Sequence, residues 1–227
     1  MPSIPDHITN LRSNVAEVQR LVAVHAQLTG TGPGRRYDVQ VLNKSAILLV
    51  VATWESFIES LVLTSAGFVA EEVKEISKIP KGPKSAIANR LKNDNHNEAI
   101  WHLAVDGWKN QLIVEAKERI RRLNTPAAHN VDALVSNTIG FEQLSSHWHW
   151  PGCTNANVVK RLKNLLDLRH EIAHGVKTSR SVTKKYVQDS NLFVIRLAAV
   201  SSNRVRSHLH SVTGKHPWNI FVKGAAR

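Results

Sequence analysis

The sequence predicts an all-α protein with no significant sheet, on three observations. Apolar residues recur at helical spacing through most of the chain. Gly and Pro cluster between those stretches, and no alternating apolar–polar run is long enough to read as a strand. With 227 residues and 42% hydrophobic content, a single domain over 1–227 with one sizeable core is expected.

Residues 6–28 place Ile8, Leu11, Val15, Val18, Val22 and Leu28 at amphipathic spacing, and "TGTGPGRR" ends that helix. A second helix runs from Tyr37 to about Glu75. Its middle is apolar on nearly every side, which belongs at the centre of a bundle. "SKIPKGPKS" (77–85) reads as a loop, followed by a short segment near 85–93 and a helix over 97–122 carrying Ile100, Leu103, Trp108, Leu112 and Ile120. Pro126, suited to a first helical turn, starts the next helix, which ends near Gly140. "SSHWHWPGCTNAN" (145–157) is a loop whose Thr154 or Asn155 caps a helix with Val158, Leu162, Leu165 and Ile172 inward and Gly175 as its stop. A final helix over 181–212 turns Leu192, Ile195, Ala199 and Leu209 inward and a basic face outward.

Thirty basic against eighteen acidic side chains give a net charge of +12. The surplus is uneven: residues 1–75 carry six Lys/Arg and eight Asp/Glu, and after His174 ten basic residues meet the single acid Asp189. Such a balance favours a polyanionic partner, nucleic acid first and an anionic membrane surface as the alternative, over a merely solvated surface. Cys153 is the only cysteine, so no internal disulfide forms and a reducing compartment is expected. "MPSIPDHITN" lacks the features of a signal peptide, and the most apolar run, "AILLVVATW", is too short to span a bilayer. A cytoplasmic protein with no membrane partner is the expectation.

The chemistry concentrates in "NLLDLRHEIAHGVKTSR", 164–180. His170-Glu171-Ile172-Ala173-His174 spells H-E-x-x-H, a helical zinc site in which Glu171 would be the general base. That reading lacks a third ligand. No glutamate follows Glu171, Lys177 and Arg180 fill the Gly and His positions of the extended motif, and Asp189, His208, His210 and His216 sit in basic surroundings. The other reading pairs Arg169 with His174 and needs no metal or other cofactor. Five positions apart, the two lie about 140° around a straight helix, so two copies of the helix facing across a twofold axis would be needed to clamp one atom, which predicts an isologous homodimer. RNA cleavage suits the pair, since imidazole serves as base or acid and guanidinium neutralises phosphate.

"LLDLRHEIAHG" resembles the signature of the HEPN superfamily of helical RNases, and more specifically the R-N-x-I-A-H-G pattern of the RiboL-PSP-HEPN and MAE-type families, with His170 in the usual Asn place. "LVVATWESFIESLV" (49–62) is similar to the family's aromatic-Glu segment, and "RLNTPAAHNVDALVSNTIG" (122–140) to its F-N-T-P stretch. The resemblance implies a bundle of roughly four to five helices with additional helices, its core over about 37–212, and a longer inserted helical segment at 77–125 as a departure. It also implies a dimeric, metal-independent endoribonuclease in bacterial defence, restrained by an antitoxin or other partner. In it Arg169 would bind the scissile phosphate, His174 would be the principal acid/base and His170 a polar assistant. Glu55 would hold Arg169 in position or serve only as a polar residue in an otherwise buried helix; Glu171 is a further supporting candidate, and Lys177, Arg180, Lys184 and Lys185 are candidate RNA contacts by their charge. A HEPN-like module that binds RNA or protein without turnover is the alternative; a zinc hydrolase using the HEIAH segment is the third reading.

Other features read as structural. His147, His149 and Cys153 in "HWHWPGC" belong to a loop packed on the bundle through Trp148 and Trp150 rather than to a metal site, and Trp101 and Trp108 belong to the core. Arg204, Arg206, His208 and His210 stand equally well as phosphate contacts or as a solvated helix end.

Overall fold

The computed structural model describes residues 4–29 and 39–222. Seven α-helices follow in order: α1 (Asp6–Thr29), α2 (Gln40–Glu72), α3 (Lys81–Lys92), α4 (Gly107–Arg121), α5 (Ala128–Ile139), α6 (Asn155–Ala173) and α7 (Lys184–Thr213). Short 3-10 turns lie at Ile76–Lys78, Asn97–Leu103 and Leu144–His147. Among the described residues there is no strand; one isolated bridge joins Trp150 and Cys153. The fold is all-α.

Helix α2 is the axis, and α1, α4, α5, α6 and α7 all pack on it. Its buried side chains point in every direction, with Val50, Trp54, Phe57, Ile58 and Leu61 fully enclosed. Side chains of this size each contribute roughly 1.5–3 kcal/mol when removed from water. Taken whole, α2 is long and apolar enough to cross a membrane by composition, which the nine-residue run alone did not suggest. In this fold that apolarity is used inside the bundle. Trp54 stacks on Phe57 at 5.8 Å and meets Trp148 edge-on at 5.7 Å. Both buried indoles find acceptors, Trp54 Nε1 donating to the Pro126 carbonyl at 2.9 Å and Trp148 Nε1 to Ser201 Oγ at 3.0 Å.

Several sequence expectations are corrected. Leu28 is exposed on the last turn of α1, and Leu192 is 52% exposed because Phe193 and Val194 take the inward positions of α7. "TGTGPGRR" beyond Thr29, together with Tyr37, lies outside the described residues. The 77–85 stretch is not all loop, since α3 starts at Lys81 with Pro83 in its first turn, where a missing N–H is harmless. Its glycine serves close packing: a Cβ on Gly82 would collide with the Ser136 carbonyl of α5. Opposite, Gly140 caps α5 at φ +71, and a Cβ there would collide with the Pro80 ring.

The expected 97–122 helix is two elements, broken at Ala104–Asp106, where Val105 takes a positive φ of 54°. Ile100 and Trp101 consequently stay outside; Trp101 is 75% exposed, while Trp108 is buried as expected. Pro126 precedes α5 rather than entering its first turn, which leaves its carbonyl free for Trp54. The chain after α7 also belongs to the packed body. Asn203 grips the backbone of Phe221 from both sides, at 2.9 and 2.8 Å, and Arg206 Nε donates to the Trp218 carbonyl at 2.6 Å.

Trp218 covers His7, whose ring lies 4.5 Å away edge-on and whose Nε2 is 3.1 Å from Ser202 Oγ. Burial pushes the His7 imidazole down from 6.5 to about 3. The unfolded chain therefore binds a proton below 6.5 that the folded chain refuses. Stability is complete above that pH and falls as the pH drops toward 3, by roughly 1.4 kcal/mol per unit. Urea unfolding at pH 7.5 and 5.5 checks this: His7→Gln, which cannot take up a proton, is expected to lose much less stability between the two than the native chain.

Candidate active site

Helix α6 carries the site. Thr154 caps it, its hydroxyl accepting the Asn157 N–H at 3.4 Å, and Val158, Leu162, Leu165 and Leu168 are buried on its inner face. The C-terminus closes with paired bonds: Val176 N–H donates to the Glu171 carbonyl at 3.1 Å and Gly175 N–H to the Ile172 carbonyl at 3.2 Å. Gly175 takes φ +66, as this closing motif requires. His174 is thus the cap residue, held just where the helix ends.

Arg169, His170 and His174 are all exposed. The imidazoles of His170 and His174 stand one helical turn apart with ring centres 4.2 Å from each other. Arg169 and His170 line a cleft of about 180 Å³ with Glu55 and Val51 of α2, Asp167 of α6, and the Asn124–Pro126 connection. His174 does not line it and joins through the His170 ring.

Glu55 is half-buried on the floor of this cleft. Burial pushes its carboxyl up and the Arg169 guanidinium draws it part of the way back. No ion pair within 4.0 Å joins the two among the described residues, so the coupling acts across the cleft. Glu59, one turn on, is also pushed up, first by burial and then by the Glu55 charge. Removing the guanidinium in Arg169→Ala is expected to raise the Glu55 pKa further, so that the carboxylate is lost at a higher pH. A carbon-13 NMR titration of the glutamate carboxyls checks it; an unchanged Glu55 titration would contradict the coupling.

Glu171 is occupied elsewhere: its carboxylate accepts the Ser179 N–H at 2.8 Å and ties down the 175–180 loop. The zinc-like spacing would make it a base beside the two histidines; here its carboxylate is bonded to that loop. Among the described residues no group of three or more His, Cys, Asp or Glu is placed to hold a metal ion, so neither His170/His174 nor the His147, His149 and Cys153 loop acquires a further ligand. His147 instead packs against Phe141 at 5.6 Å, and Trp148 is fully buried.

The expected RNA-contacting cations differ in availability. Lys177 is exposed, and the Arg180 guanidinium stands over the Tyr186 ring, 4.3 Å from its centre. Lys184 is half-buried at the start of α7, and Lys185 pairs with Asp189 at 3.2 Å. Near the other end of α7, Arg206 is bound to Trp218, while His208 stacks on Phe141 at 4.7 Å and reaches the Ile139 carbonyl at 2.9 Å. Both are tied into the fold by these contacts. The residue that sequence reasoning missed is Asn124: its NTP stretch was visible, but nothing local placed it against α6.

A family model described as RiboL-PSP-HEPN matches residues 11–203. No curated protein matches the chain, and no solved structure does.

Proposed function

The chain belongs to the RiboL-PSP-HEPN family, and from that premise we propose that it is a metal-independent endoribonuclease whose site is completed by a second copy of the chain. The observation that carries this reading is the exposure of Arg169, His170 and His174 together at one end of α6, whose opposite face is buried. Stabilising a charged phosphoryl transition state works best where water is excluded. An exposed set of this kind lacks that exclusion, and a twofold partner would supply it together with a second Arg and His.

In the reaction, an imidazole takes the proton of a ribose 2′-OH. The 2′ oxygen attacks the adjacent phosphorus, the bond to the 5′ oxygen breaks, and an imidazolium returns a proton to that leaving oxygen. The products are a 2′,3′-cyclic phosphate and a 5′-hydroxyl. His174 of each copy supplies the base and the acid. Arg169 binds the non-bridging oxygens as negative charge builds on them. His170 packs beside His174 and fixes its ring, and Glu55 orients Arg169 from below. The enzyme acts in the cytoplasm as a defence or toxin-type protein, held in check by a partner such as an antitoxin.

The test is end-labelled RNA incubated with the purified protein in excess EDTA. Fragments ending in cyclic phosphate are the expected product. RNA that is bound with steep salt dependence but stays intact would instead favour a binding module without turnover.

A further inference from the structure

The cleft at Arg169 and His170 does not end at the catalytic groups. Its wall residue Asn124 also lines a second cleft, of about 230 Å³, between the end of α4 and α5. That cleft in turn shares Arg119 and Arg122 with a third, of about 350 Å³, between α3 and α4. The ridge where the first two meet is fixed to the core. The Thr125 carbonyl accepts from Asn130 Nδ2 at 2.8 Å and from the Ala127 N–H at 2.9 Å, and the Pro126 carbonyl accepts from Trp54.

The charge of this path is cationic where it leaves the catalytic cleft. Among the described residues no carboxylate lines the second cleft, which presents Arg119, Arg122, Asn124 and Asn130. Glu115 grips Arg119 through Nε at 2.6 Å, so its terminal nitrogens remain for a ligand. Glu118 pairs closely with Arg121 at 2.7 Å and is 4.0 Å from Arg122, whose side chain is 77% exposed. Two forked guanidiniums with a carboxamide between them and the catalytic cleft match the oxygens of successive phosphodiesters. A basic groove that follows the backbone is how single strands are held without sequence preference.

We propose that Arg119, Arg122 and Asn124 form a binding track for single-stranded RNA next to the cut site, holding phosphates that flank the scissile one. The track rests on the nuclease reading for its orientation but is tested apart from it. The probe is a fluorescein-labelled 2′-O-methyl RNA of about twelve nucleotides, which lacks the attacking hydroxyl, titrated by anisotropy over a salt series. Arg122→Glu is expected to weaken binding about tenfold and to flatten the salt slope by about 0.7 for each phosphate no longer neutralised. Arg20→Glu, an equal charge change on an exposed α1 residue, is expected to do neither. Thermal melts confirm that both variants fold, and Asn124→Ala provides an uncharged second variant expected to weaken binding without changing the slope.

Binding of Arg122→Glu and Asn124→Ala at native affinity and slope would overturn the track. Cleavage of ordinary RNA is followed in parallel. Cut RNA with unaltered Arg122→Glu binding removes the track and keeps the nuclease; uncut RNA with weakened Arg122→Glu binding removes the nuclease and supports the track.

Discussion

Replacing His174 with alanine is expected to slow RNA cleavage by about two to four orders of magnitude, the contribution typical of a positioned acid or base. If one imidazole from each copy acts as base and acid, the variant loses both, so the upper part of that range is expected. His174 caps α6 with its backbone, and its ring is exposed, so the variant keeps the helix end set by Gly175 and is expected to melt near the native temperature. Binding of a 2′-O-methyl RNA is expected to survive, because the phosphate-holding Arg169 is untouched. Cleavage that persists in His174→Ala would remove the catalytic assignment.

The largest stability effect is expected far from that chemistry, at Glu115. This carboxylate is buried on α4 and accepts from Arg90 Nε at 2.9 Å and from Arg119 Nε at 2.6 Å, while Gln111 holds Arg90 through its terminal nitrogen. It is the clamp between α3 and α4. Glu115→Ala leaves two partly buried guanidiniums uncompensated, a change that costs about 3 kcal/mol or more. Against a typical total of about 5–15 kcal/mol that is a large fraction. Urea unfolding measures it, and Glu115→Gln, which keeps the acceptor oxygen without its charge, is expected to recover part of the loss. A loss below about 1 kcal/mol in Glu115→Ala would show the clamp to be no stronger than a surface pair.

Legibility in the sequence followed the range of the interactions. Helix α6 was readable end to end because its cap at Thr154, its stripe from Val158 to Leu165 and its stop at Gly175 are all local signals. The same kind of signal misled at α3, where Gly82 lies inside the helix and allows close approach to α5; at Gly140 it held, since that residue ends α5. Nothing local marks His7, because its partner Ser202 is 195 positions away. Glu55 and Asn124 were visible as residues, but only packing brings α2 and the α4–α5 connection to the end of α6. Glu171 shows the converse, since the zinc-like spacing was real while its carboxylate serves the loop after the helix.

The central claim is that each site is built from two chains. It is tested most directly by mixing native and His174→Ala protein in varying ratio at constant total concentration, under conditions of subunit exchange, and following RNA cleavage. If both copies contribute an imidazole to one site, activity falls as the square of the native fraction, and an equal mixture retains about a quarter. An equal mixture that keeps about half, in simple proportion to the native chains present, would mean that each chain cuts by itself and would contradict the account.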